Sequence, residues 1–137
     1  MKKLTLVLAA ALTLAIATTV LRADPGERHV KATLEEIDGS GVTGFVQVTS
    51  NPKGGTHVNV VVQEGLEPGG TYTSFYYEST DCSAPADELG TFTADSNGRG
   101  HLTGETDEDL DEIGTISVRL GEGYGTLMAC AAMHEQQ

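Results

Sequence analysis

The chain has no tryptophan, and only three Phe and four Tyr among its 137 residues. Four of these seven aromatics, Tyr72, Phe75, Tyr76 and Tyr77, crowd into residues 71–82, which marks that stretch as an organising element. Positive charge is also scarce, with eight Lys and Arg against 20 Asp and Glu. Three of the eight (Lys2, Lys3 and Arg22) fall in the first 23 residues, which contain no acid. The remaining five bases against twenty acids leave residues 24–137 at a formal −15. A surface of that sign repels polyphosphate and anionic lipid, so nucleic acid and membrane surfaces are excluded as partners. It favours cations or basic proteins and serves solubility.

Long apolar runs are absent beyond the first 23 residues. There, Lys2-Lys3 precede an apolar stretch over 4–14 and then small residues, the pattern of a secretory signal peptide rather than a membrane span. Cleavage is expected after Ala17 or, preferably, after Ala23. The sequence is therefore expected to be secreted or periplasmic. It divides into residues 1–23 as signal peptide and 24–137 as a single domain with its core at about 29–133. Cysteine is limited to Cys82 and Cys130, and in an oxidising compartment the two are expected to form a disulfide. Closing that loop stabilises by about 4 kcal/mol in the chain-entropy account.

No segment carries a convincing 3.6-residue apolar period, so helices are not expected. Alternation with period two is present instead, over 30–35, 42–48, 58–62, 72–78, 89–94, 100–102, 113–120 and 124–133. Between these lie Gly-rich turns drawn from 17 glycines. Asn97-Gly98 predicts a hairpin joining the fifth and sixth runs. The expected fold is all-β, an eight-stranded antiparallel Greek-key sandwich or barrel.

Several phrases stand in a telling order. They are Gly65-Leu66-x-Pro68-Gly69, Glu78-x-x-Asp81-Cys82, the run from Asp87-Glu88-Leu89-Gly90 to Asn97-Gly98, Ile113-Gly114-x-Ile116-x-Val118, and Leu127-Met128-Ala129-Cys130. In this order and spacing they resemble the copper–zinc superoxide dismutase family, an eight-stranded Greek-key barrel with one disulfide. The similarity runs from about His29 to Met133 and includes both family cysteines. The Gly-Leu-x-x-Gly turn is also similar to that of secreted Greek-key domains such as the repeated domain of chordin-like proteins, which lack metal.

Against the family pattern, this sequence is missing its chemistry. Phe75 and Tyr77 stand where the resemblance places paired copper histidines, and Leu120 stands where it places the last one. The zinc-binding loop is reduced to residues 83–87 without a histidine. Glu88 takes the place of the zinc aspartate, and one carboxylate does not make a tetrahedral site. Leu127 stands where the family carries an anion-guiding arginine. The resemblance therefore implies a member of the fold with degenerate metal positions, no catalytic residues and no cofactor.

Other constellations are sparse. His29, His57, His101 and His134 show no ligand spacing; His57 and His101 both fall on strands, which makes them the candidate pair for a secondary site. Asp107, Asp109 and Asp111 have the rhythm of a calcium loop, but position six is Glu112 and position twelve Val118, which fails the EF-hand pattern. No nucleophile elbow occurs. The aromatics at 72–77 suit core packing or the stacking of sugars or peptides. The expected function is an exported, non-catalytic binding or structural module for an extracytoplasmic ligand or protein. The alternatives are a metal-binding protein, holding calcium or a transition metal, and an enzyme of unrelated chemistry.

Overall fold

The computed structural model describes residues 28–133, so the leader, its cleavage positions and His134 lie outside the described residues. Eight strands form wherever apolar and polar residues alternate. They are β1 (His29–Glu36), β2 (Thr43–Ser50), β3 (Thr56–Glu64), β4 (Thr71–Tyr77), β5 (Ala86–Thr93), β6 (Gly100–Thr106), β7 (Thr115–Leu120) and β8 (Leu127–Ala132). The one helical segment among the described residues is a 3-10 turn at Leu110–Glu112, anchored by buried Leu110.

All strand pairs are antiparallel, and the ladder runs β5-β4-β7-β8-β1-β2-β3-β6. β5 and β6 approach each other at the two ends without ladder bonds, so the sheet is a nearly closed barrel. It has two halves, β5-β4-β7-β8 and β1-β2-β3-β6. Between them lies a narrow seam where only Glu35↔Cys130 and Glu36↔Ala129 pair. The connections β3–β4, β5–β6 and β6–β7 each cross from one half to the other, which gives the expected Greek-key order.

The interior is aliphatic. Val46 and Val48 of β2, with Val58, Val60 and Val62 of β3, alternate strictly inward and are fully buried. Leu34, Ile116 and Val118 meet them from other strands, and Ile113 from the segment that follows the 3-10 turn. Each such side chain stabilises by about 1.5–3 kcal/mol relative to exposure. Tyr72 stacks on Phe92 with ring centroids 5.9 Å apart, and its hydroxyl accepts the Glu67 N–H at 2.8 Å. Tyr72 and Tyr77 are fully buried, Phe75 nearly so, and Tyr76 packs against the main core. Tyr72, Phe75 and Tyr77 are therefore core, and Tyr76 is half-buried against it.

The Asn97-Gly98 expectation is corrected. The dipeptide does turn the chain, with Gly98 at φ 74° and Asp95 Oδ1 accepting the N–H groups of Asn97 and Arg99 at 2.8 and 3.0 Å. The flanking strands do not form a hairpin, because β5 pairs with β4 and β6 with β3. The connection entering from β3 wedges between them and takes their hydrogen bonds. Leu66 N–H binds Gly98 O, Gly69 N–H binds Ala94 O, and Ala94 N–H binds Gly70 O. The turn is thus the crest of an arch between the two halves.

Gly114 fixes the chain that follows β4. Its N–H donates to Tyr77 O at 2.7 Å, and a Cβ there would run into the carbonyl oxygens of Glu78 and Ser79. Backbone cannot yield as a flexible side chain can, so Gly114→Ala is expected to destabilise by about 1–3 kcal/mol. Urea unfolding of the two proteins measures this, and an unchanged midpoint would show that the 78–79 backbone moves freely.

Candidate functional site

The bonds around β4 and β7 place the site. Alternation along β4 sends Tyr72, Ser74 and Tyr76 toward the barrel interior and Thr73, Phe75 and Tyr77 outward. The register puts Phe75 opposite Ser117, which is opposite Cys130, while Tyr77 lies opposite Thr115. An outward face would ordinarily meet water, yet here it carries a second apolar cluster. Phe75, Tyr77 and Cys82 are buried in it, packed by Ala86, Leu127 and Cys130.

Two connections cover this face. The first follows β4 and is pinned by the Cys82–Cys130 disulfide, with Cα atoms 6.2 Å apart. Cys82 sits at φ 56°, a left-handed conformation that costs a non-glycine residue of order 1 kcal/mol or more. Several bonds hold it there: its N–H donates to Thr115 Oγ1 at 3.1 Å, and Thr115 in turn donates to Ser79 O at 3.0 Å. The second connection, residues 121–126, joins β7 to β8 and lays Tyr124 over the cluster. The Tyr124 ring meets Phe75 edge-on at 5.2 Å and Tyr77 at 6.5 Å.

Arg119 ties these parts together. It is 9% exposed. Its Nε donates to Tyr77 Oη at 2.9 Å, Nη1 to Gly125 O at 2.8 Å, and Nη2 to Cys82 O at 3.2 Å and Tyr124 Oη at 2.9 Å. The guanidinium also lies 3.7 Å from the Tyr124 ring centroid, a cation–π contact. Tyr77 Oη, 2.7 Å from Ser117 Oγ, completes a network in which every buried side-chain polar atom among the described residues has a partner. Desolvation pushes the Tyr124 phenol up, its hydrogen bond to Tyr77 adds to this, and Arg119 opposes it.

The positions singled out by resemblance separate here. Phe75, Tyr77 and Leu127 come together with the disulfide. Leu120 does not join them. It pairs with Tyr72 at the end of β7 and is 44% exposed. The β7 residue that reaches the cluster is Arg119, one position earlier, and a one-residue offset on a strand exchanges the faces. Glu88 pairs with Phe75 from β5 but is exposed. Phe75 has no donor atom, and Tyr77 Oη is engaged by Arg119 and Ser117, so these residues do not fit copper or zinc.

The remaining candidates are dispersed. Asp111 pairs with Arg28, Asp109 precedes the 3-10 turn, and Asp107 is exposed. His57 lies 3.5 Å from Glu105, and His29 Nδ1 is 3.0 Å from Thr49 Oγ1. His101 pairs with Val61, four residues along β3 from His57, a separation of roughly 13 Å. Among the described residues, no group of three or more His, Cys, Asp or Glu is placed to hold a metal ion.

Glu108 is the most displaced acid. A hydrogen bond to Glu112 and the charge of Glu112 push it up to about 7, and desolvation, Glu78 and Asp87 add in the same direction. The folded state therefore holds a proton that the unfolded chain releases near pH 4.5. The stability this group contributes is fully present below about 4.5 and is lost as pH rises through about 7. Glu108→Gln is expected to flatten that part of the melting temperature–pH curve. An unchanged slope between pH 5 and 7 would remove the pair from consideration.

Arg119→Met keeps the stem but leaves four oxygens without their donor. It is expected to destabilise by about 2–3 kcal/mol and to speed proteolysis within 121–126. A loss under about 0.5 kcal/mol in urea unfolding would show that the guanidinium holds nothing. No family model matches this sequence, and none of the curated proteins compared with it is similar.

Proposed function

We propose that this protein is an exported, non-catalytic β-barrel module of the superoxide dismutase-like kind, in which an arginine–aromatic cluster stands in place of a metal centre. The observation that carries this reading is the outer face of β4 and β7. Phe75, Tyr77, Tyr124 and Arg119 fill it, and their polar atoms are bonded to one another. A redox-cycling copper site needs several imidazoles in fixed geometry, and a phenylalanine with a hydrogen-bonded phenol supplies none. The order of the five family-like phrases and the eight-stranded antiparallel barrel support the lineage. The apolar leader and the disulfide support export.

Such a module acts by binding or by building structure rather than by turnover. The acidic surface directs it away from nucleic acid and anionic lipid. The exported chain, purified and incubated with copper and zinc, is expected to retain neither in stoichiometric amount by mass spectrometry and to leave superoxide decay at its buffer rate. Stoichiometric copper accompanied by superoxide consumption would overturn the proposal.

A further inference from the structure

Arg119 has hydrogen bonds but no counter-ion. A buried arginine ordinarily faces a carboxylate. Among the described residues, every acceptor of this guanidinium is a neutral oxygen, on Tyr77, Tyr124, Gly125 and Cys82. A full positive charge, 9% exposed, is therefore held without an anion. Opening the neighbouring disulfide would supply one.

Arg119 Nη2 donates to the Cys82 carbonyl at 3.2 Å, so by covalent geometry alone the sulfur of Cys82 lies within roughly 8 Å of it. Cys82 is 1% exposed and shares its apolar cluster with Phe75 and Tyr77. Charges in such surroundings are screened far less than in water. The two sulfurs are unequal. Cys130 is only half-buried, and its partner across the seam is Glu35, an exposed carboxylate that disfavours a second negative charge. Asp81, beside Cys82 in sequence, is exposed and accepts the Ser83 hydroxyl. The remaining titratable groups of the cluster, Tyr77 and Tyr124, are phenols bonded to Arg119.

The loop that carries Cys82 does not depend on its covalent bond alone. Thr115 Oγ1 accepts the Cys82 N–H at 3.1 Å and donates to Ser79 O at 3.0 Å. Ser79 Oγ donates to Ser83 O at 2.8 Å and accepts the Ser83 N–H at 3.0 Å. These bonds keep Cys82 beside Arg119 when the disulfide opens.

We propose that Cys82–Cys130 is an exchangeable disulfide whose substrate is a dithiol, with Arg119 as counter-ion to a Cys82 thiolate in the reduced form. A thiolate of the dithiol attacks the more accessible sulfur, Cys130. A mixed disulfide forms there, the Cys82–Cys130 bond breaks, and Cys82 leaves with the electron pair as a thiolate against the guanidinium. The second thiol of the dithiol loses a proton and displaces Cys130, which takes one up. The protein gains two electrons, and the dithiol departs as a disulfide. A stabilised leaving thiolate speeds the first step and draws the equilibrium toward the reduced form. Exchange of this kind is stoichiometric and needs no metal, so it stands or falls apart from the missing copper chemistry.

The exported chain is equilibrated at pH 7 in mixtures of reduced and oxidised dithiothreitol, quenched in acid, alkylated and counted by mass spectrometry. Arg119→Met is expected to lower the equilibrium constant for reduction about tenfold, the factor that one unit of thiolate stabilisation supplies. Arg119→Lys, which keeps the charge, is expected to lower it less. Thr115→Val, which loosens the same loop without touching the charge, is expected to raise it. The signs separate a counter-ion from a brace: were Arg119 only structural, its loss would loosen the fold around the disulfide and make reduction easier. A constant raised or unchanged in Arg119→Met, or lowered equally in Thr115→Val, would overturn the proposal. A measurement on the unaltered chain guards against a variant that does not fold. Reduced and folded, it is expected to show about one thiolate per molecule by ultraviolet absorbance at pH 7, where an ordinary thiol is only a few per cent ionised, and to lose it in urea. No thiolate in the folded reduced chain, or loss of its native circular dichroism on reduction, equally overturns the assignment.

Discussion

Withdrawing a guanidinium from water with no carboxylate beside it costs several kcal/mol, and the outer face of β4 and β7 is arranged around meeting that cost at Arg119. Four hydrogen bonds to neutral oxygens and the ring of Tyr124 offset it. Bonds from a charged donor contribute about 1.5–3 kcal/mol each, so the sum is favourable only while all the acceptors stay in place. That condition couples parts of the chain far apart in sequence. The Cys82 carbonyl belongs to the loop after β4, the Gly125 carbonyl to the loop after β7, and the Tyr77 hydroxyl to β4 itself.

The disulfide and the arginine act on the same loop by different means. Cys82–Cys130 limits how far the loop can travel in any state, whereas Arg119 and Thr115 set the orientation of its backbone in the folded one. The result is a sheet half covered on both faces, and burial along its strands reports this directly. From Thr115 to Arg119 every residue of β7 is buried, and β4 is buried at five of seven positions. Strands covered on both faces lose the simple in–out contrast. The buried hydroxyls among them are bonded: Ser74 to Ser117 O, Thr73 to Gly121 O, and Thr115 to Ser79 O.

Where one face meets water, the alternation was legible in the sequence, and β2 and β3 follow it residue by residue. The cysteine pairing was legible too, because two cysteines allow one intramolecular bond. The arch at Asn97-Gly98 was not. A turn signal specifies local dihedral angles but not which strands pair on either side, and here the 65–70 segment decides that. Arg119 was missed because family spacing drew attention to Leu120, its neighbour on the opposite face. One signal pointed to it: in Ile116-Ser117-Val118-Arg119 the apolar residues fill the inward positions, so the arginine must lie outward with Ser117.

The two halves of the barrel thus differ in what their outer faces can be altered to do. On β4 and β7, the outward side chains are core in all but topology, and replacing one unbalances a buried charge or opens a cavity. On β1, β2, β3 and β6, the outward side chains lie above a valine interior that is complete without them. Substitutions at such exposed positions usually change stability by no more than about 0.5 kcal/mol. That face can therefore be altered without disturbing the fold, while the other face holds the fold together.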